Sequence, residues 1–185
     1  DDIDLLVPSA IEAAFVTNAQ KIFSEKNRVH YSIQIGTHEV PFDFRFCGDE
    51  YYDRTWQENI LSGRVLQNDL FYTPSREHYF YSLLYHALIH KESLAEDYKT
   101  RLKAMLADLP VKPEKLPDSE SEFHALLAEF MSKNDYKITE PQDLSVKFNP
   151  PEQYAHPLST RRQWRRLRRR ITGPIGRKLS RTFTS

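Results

Sequence analysis

The chain has 185 residues, 39% hydrophobic and 12% aromatic, a globular composition long enough for one ordinary domain or a small domain with a helical appendage. Its single cysteine, Cys47, excludes an intramolecular disulfide framework and a cysteine-based zinc site and points to a reducing, cytoplasmic setting, while no apolar run approaches the roughly 18 residues of a membrane span and the amino terminus has no signal-type pattern. The formal net charge of zero hides an asymmetry, because nine Arg, one Lys and no acid follow from position 161 onward, leaving 16 basic against 26 acidic residues in 1–160.

The sequence opens without Met on Asp2-Ile3-Asp4-Leu5, which reads as a strand; we expect a fragment or a processed form that lacks its true start. Pro8-Ser9 breaks that strand, and Ser9 with Glu12 forms a capping-box signature for a helix to about Ser24, with Ile11, Ala14, Phe15, Ile22 and Phe23 as its apolar stripe. Val29, Tyr31, Ile33 and Ile35 then alternate with polar residues. Gly36-Thr37-His38 supplies a turn, and Val40, Phe42, Phe44 and Phe46 resume the alternation, which predicts a hairpin. Pro41 in its second strand predicts an edge-like position or the start of pairing.

Asp49 to Asp53 reads as an acidic loop that is either solvated or joined to a metal face, followed by aromatic-rich irregular structure with a short helix around Trp56–Leu61. Thr73-Pro74 predicts a helix to about Lys91, with Tyr79, Phe80, Leu83, Leu84, Ala87 and Leu88 buried. A second amphipathic helix is expected over Leu94–Leu109, and Pro110 to Pro117 is the clearest linker. Ser119 with Glu122 caps a third helix carrying Phe123, Leu126, Leu127, Phe130 and Met131, and a short strand is expected around Leu144–Phe148. The pattern predicts an α+β protein with a mixed sheet, divided as 1–72, a helical region 73–150 and a basic tail 151–185.

Carboxylates two apart on a strand project to one face, so Asp2 and Asp4 share a surface while Ile3 and Leu5 turn toward a core; Asp43, between Phe42 and Phe44, follows the same logic. Three carboxylates gathered on one face repel one another unless a cation sits among them, and hard oxygen donors suit Mg²⁺ or Mn²⁺. Arg45 lies two residues beyond Asp43 and shares its face, placed to pair with a phosphate or with Asp43 itself. The competing expectation is that these aspartates are solvated or ion-paired with arginines.

The ordered strand with Asp-Ile-Asp-Leu, capped helix and hairpin carrying Phe-Asp-Phe resembles the nucleotidyltransferase superfamily, the fold of DNA polymerase beta and the aminoglycoside nucleotidyltransferases. The resemblance covers residues 1–48. It implies a mixed-sheet core missing its first elements, with Asp2 and Asp4 as paired metal ligands, Asp43 as the third carboxylate and a nucleoside triphosphate as substrate. The family's Gly-Ser turn, which holds the triphosphate, falls upstream of Asp2 and outside this sequence. Phe46-Cys47-Gly48-Asp49-Glu50-Tyr51-Tyr52-Asp53 and Tyr81-Ser82-Leu83-Leu84-Tyr85-His86-Ala87-Leu88 also look like segments of nucleotidyltransferase-like proteins from bacterial cell-surface polysaccharide loci. The activity implied is nucleotide transfer to a hydroxyl or phosphate acceptor, with two metal ions about 3.5–4 Å apart activating nucleophile and leaving group.

Two further features stand outside that pattern. His78, His86 and His90 recur along one helix, and His86 with His90 has the i, i+4 spacing of a zinc pair, with no nearby Glu or Cys to complete a site; the helix alternatively presents a polar stripe, in which His86 lines the acceptor pocket, or packs its histidines beneath the sheet. In the tail, Trp164, Leu167 and Ile171 make a narrow apolar face under a dense cationic one. Residues 161–181 therefore suit an anionic membrane surface, placing the protein at the inner face of the membrane, or RNA or another polyanion, or a disordered basic tail. A non-catalytic scaffold that retains the fold and works through this tail is the alternative function.

Overall fold

Alternation from Val29 to Phe46 produces the expected hairpin, β3 (His30–Ile35) and β4 (His38–Phe46), turned at Gly36 in the left-handed region (φ 59°). The computed structural model describes residues 3–25, 27–109 and 116–150. β1 (Ile3–Val7) lies parallel to β4, from Ile3 opposite Phe42 to Val7 opposite Phe46, and the two-residue β2 (Gln20–Lys21) pairs antiparallel with β3. The sheet order is β1-β4-β3-β2, and the architecture is α+β with a mixed sheet. Phe44 N–H donates to Val29 O at 2.8 Å, so even-numbered amides of β4 point toward β3. The missing amide hydrogen of Pro41 falls on the other side, one residue before the described β1 ladder, so it interrupts none of the described pairing.

The first helix corrects the sequence reading. α1 (Ala10–Thr17) starts as expected, with the Ser9 hydroxyl accepting from Glu12 N–H at 3.3 Å, but it ends at Thr17 because Asn18 takes a left-handed conformation (φ 54°) whose N–H closes on the carbonyls of Ala14 and Phe15. Ile22 and Phe23 lie beyond it. Phe15 is 86% exposed, and Ile3 and Leu5 are 44% and 40% exposed, so neither the helix stripe nor this strand pair forms the core. Val29, Tyr31 and Phe44 are buried on that same apolar face, and the larger helical core lies toward the opposite, polar face of the sheet, where Leu6 packs with the helices.

α2 (Arg54–Ser62) is capped by Asp53, whose Oδ1 accepts from the amides of Thr55 and Trp56. A small hairpin absent from the sequence reading follows: β5 (Val65–Gln67) and β6 (Phe71–Thr73) join through Asn68 and Asp69, both at positive φ. α3 (Arg76–Ile89) is capped by Ser75 rather than Thr73. α4 (Glu96–Leu106) and α5 (Glu120–Lys133) complete the helices of the described residues, α5 with both bonds of the Ser119–Glu122 capping box formed. No strand forms at Leu144–Phe148, because Asp143 Oδ1 accepts from Ser145 N and Oγ at 2.9 and 2.7 Å and folds the segment into a turn.

The helical core is built around Trp56, which is fully buried, with Tyr136 stacked on it at 5.5 Å and Tyr85 and Phe130 edge-on at 5.5 and 5.4 Å. Its indole N–H donates to His78 Nδ1 at 3.1 Å. Phe80, Leu84 and Leu88 of α3, Leu102 and Leu106 of α4, and Phe123 and Leu127 of α5 fill the remainder at helical spacing. Tyr79, expected inside, is 43% exposed on the solvent side of α3. Among the described residues, no helix is long and apolar enough to cross a membrane.

Candidate active site on the sheet face

Asp4 and Asp43 are direct register partners on β1 and β4, and His30 is the partner of Asp43 on β3, so three adjacent strands carry Asp4, Asp43 and His30 side by side on one face. Asp4 is exposed, whereas Asp43 and Arg45 are buried. Arg45 shares this face, its Nη2 lying 3.6 Å from Asp43 Oδ2, while His30 Nε2 approaches the same oxygen at 3.7 Å. These are charge contacts longer than hydrogen bonds. Asp2, expected as the other paired carboxylate, lies outside the described residues, as do residues 151–185 with their basic segment 161–181 and positions 110–115 of the linker.

The loop from Cys47 to Asp53 is a structural element rather than the solvated or metal-binding segment expected from its acidity. Gly48, at φ 93°, turns the chain, and its N–H donates to Gln57 Oε1 at 2.8 Å. Buried Asp49 accepts from Tyr51 N–H at 2.9 Å and from Gln57 Nε2 at 2.6 Å, and Gln142 Nε2 donates to Gly48 O at 2.8 Å. Burial pushes the Asp49 carboxyl above its ordinary pKa, against the lowering by those hydrogen bonds and by Arg45. Cys47 is half-buried, and burial raises its thiol pKa, with Glu58 adding to the effect.

This loop delivers Tyr51 to the sheet face. The Arg45 guanidinium lies over the Tyr51 ring at 4.1 Å, and the Tyr51 hydroxyl is 2.6 Å from His86 Nδ1. Burial raises the Tyr51 pKa far above the ordinary phenol value. His86 is lowered to about 4, first by burial and then by the positive charges of Lys91 and Arg45. Near neutral pH both groups are therefore uncharged, and the His86 tautomer decides which of them donates in this bond. His90, one turn further along α3, is only 3% exposed, and its ring packs 4.2 Å from that of Tyr51. Among the described residues neither of its ring nitrogens has a hydrogen-bond partner, and burial holds its pKa well below the ordinary value.

A second carboxylate approaches from the turn after α5. Buried Asp143 lies 3.7 Å from His30 Nδ1 and 3.8 Å from Arg28 Nε, so His30 stands between Asp43 and Asp143. The structure thus brings together Asp4, Asp43 and Arg45, and places His86 one aromatic ring away through Tyr51. Tyr51, His30 and Asp143 were not among the site residues expected from the sequence. Period-two alternation does put His30 on the Asp43 face, but no local signal places Asp143 or Tyr51 against residues so distant in sequence. Among the described residues, no three His, Cys, Asp or Glu side chains converge as a metal-binding group, and His86 and His90 therefore do not gain a third zinc ligand there.

Compared with family models, with curated proteins and with solved structures, the chain matches none of them.

Proposed function

We propose that the Asp4–Asp43 face is the active site of a Mg²⁺- or Mn²⁺-dependent nucleotidyltransferase, which moves a nucleotide from a nucleoside triphosphate to a hydroxyl or phosphate acceptor, in cell-surface polysaccharide metabolism. The observation that supports this reading is the side-by-side placement of two carboxylates on adjacent parallel strands, on the face turned to the helical core. Their hard oxygens fit a divalent cation. Asp4 and Asp43 would hold the ion, with Asp2 as the further ligand. When bound, the metal supplies a lowered pKa for the attacking hydroxyl and charge neutralisation at the leaving pyrophosphate. Asp43 accepts the proton of that hydroxyl, Arg45 orients a phosphate, and His86 lines the acceptor side.

The test is incubation of the 185-residue chain with labelled nucleoside triphosphates, Mg²⁺ and candidate acceptors, following pyrophosphate release. Release that disappears in Asp43→Asn supports the reading; no release with any triphosphate in the presence of Mg²⁺ or Mn²⁺ removes it.

A specific observation favours a second reading. Asp43 lies beside the Arg45 guanidinium, so its negative charge has a protein counter-charge without a metal. A non-catalytic scaffold, acting through the basic segment 161–181 on an anionic membrane, a polyanion or a protein partner, would use the same ion cluster purely for folding. Such a protein binds no divalent ion at Asp43.

A further inference from the structure

Arg45 is buried, and its Nη1 has no hydrogen-bond acceptor among the described residues, although a guanidinium carries five N–H donors and buried donors are ordinarily satisfied. Its Nη2 contacts Asp43 only at charge-contact distance, and its face lies on Tyr51 at 4.1 Å. Stacking fixes the plane of the guanidinium and leaves its N–H edge for a planar or tetrahedral oxyanion. Tyr51 is itself fixed: its hydroxyl bonds His86 at 2.6 Å, its amide bonds Asp49 at 2.9 Å, and Tyr52 meets its ring edge-on at 4.8 Å. A bare anion approaching Arg45 would also meet the carboxylates of Asp4 and Asp43, so the anion that fits is one that carries its own divalent cation.

We propose that Tyr51, held by His86, is the positioning residue that presents Arg45 to a metal-chelated diphosphate group. The proposal rests on the reading of Asp4 and Asp43 as metal carboxylates and adds to it the ligand class and the residue that sets Arg45 in place.

The test uses the 185-residue chain and two titrations, Mg²⁺ alone and inorganic pyrophosphate with and without Mg²⁺, by calorimetry. Pyrophosphate should bind only with Mg²⁺. Arg45→Lys, which keeps the charge and loses the fork, should weaken that binding about tenfold. Tyr51→Leu should do the same, and Tyr51→Phe, which keeps the ring and loses only the bond to His86, should weaken it about threefold. Because Tyr51 acts through Arg45, the Arg45→Lys/Tyr51→Leu double variant should bind no more weakly than Arg45→Lys alone, whereas a merely structural role gives additive losses. Mg²⁺ affinity should stay within about twofold in Tyr51→Phe, the replacement that preserves packing. Normal Mg²⁺ binding with unchanged pyrophosphate affinity in both Tyr51 variants overturns this inference alone; should Tyr51→Leu fail to fold, unchanged affinity in Tyr51→Phe is sufficient. Additive losses, or equal pyrophosphate binding without Mg²⁺, also overturn it. Absence of Mg²⁺ binding to the unaltered chain overturns it together with the nucleotidyltransferase reading.

Discussion

His30 Nε2 faces Asp43 Oδ2 at 3.7 Å across the β3–β4 ladder, and Arg45 reaches the same oxygen from the next position on that face of β4. Asp43 therefore has two separable roles, as a partner for the buried Arg45 guanidinium and as a candidate metal ligand. Removing one partner of a buried ion pair leaves the other charge uncompensated, so Asp43→Asn should lower unfolding free energy by about 3 kcal/mol in urea titration. Under the proposed function it should also weaken Mg²⁺ binding at least tenfold in the folded protein. A destabilised variant that titrates with Mg²⁺ like the parent would leave only the structural role.

His86 makes stability depend on pH. Its folded pKa of about 4 lies below the ordinary histidine value, so between these two points the unfolded chain binds more protons than the folded one. Stability should rise as pH increases through that window, from about 4 to about 6.5, by up to about 3 kcal/mol, and level off above it. His90 shifts in the same direction and adds to the slope. His86→Gln, which keeps a hydrogen-bonding group opposite Tyr51 without titrating, should flatten the dependence in denaturant midpoints measured at several pH values. An unchanged slope would show that His86 protonates as freely in the folded state as in the unfolded chain.

The basic segment supplies a prediction independent of the sheet. Ten basic and no acidic residues from position 161 onward should bind vesicles rich in anionic lipid, with binding that weakens as salt rises. Flotation with vesicles containing phosphatidylserine should recover the full chain and should recover little of a version ending at residue 160. Equal recovery of both, or equal recovery with neutral vesicles, would assign the charge to another partner.

The parts of the fold that were legible were those in which one local signal dominates. The period of two from Val29 to Phe46 specified the hairpin and placed Asp43 and Arg45 on one face, and Ser119 with Glu122 located the start of α5. The end of α1 was not legible because Asn18 stops it by adopting φ 54°, with neither Gly nor Pro to mark the place. The β5–β6 hairpin did carry a signal, Asn68-Asp69 between Leu66 and Phe71, of the kind that favours turns with positive φ. The candidate site was legible along the chain as Asp4, Asp43 and Arg45, with His86 named from its place on the helical stripe. Its closure by Tyr51 and Asp143, and the contact of His86 and His90 with Tyr51, depend on tertiary packing between segments far apart in sequence, where no local period applies. The same packing explains why polar rather than apolar residues of β1 and β4 face the helices: the junction buries ion pairs and aromatic hydrogen bonds beside Leu6.

Asp49 tests how the loop that carries Tyr51 is held. Its Oδ1 accepts from Tyr51 N–H and Gln57 Nε2, while its buried Oδ2 has no hydrogen-bond partner among the described residues. Burial raises its folded pKa above the unfolded value, so the folded state binds the proton more tightly, and stability is lost as pH rises from about 4 through the folded pKa. Asparagine keeps the accepting oxygen and exchanges the desolvation of a charge for that of a neutral amide, which costs less. Asp49→Asn should therefore be at least as stable as the parent at pH 7, and its advantage should shrink as pH falls toward 4, measured as the difference in urea unfolding free energy. If the variant is instead less stable at pH 7 by more than about 1 kcal/mol, the charge-assisted bonds to Tyr51 and Gln57 outweigh burial, and the ionised carboxylate is what holds the loop in place.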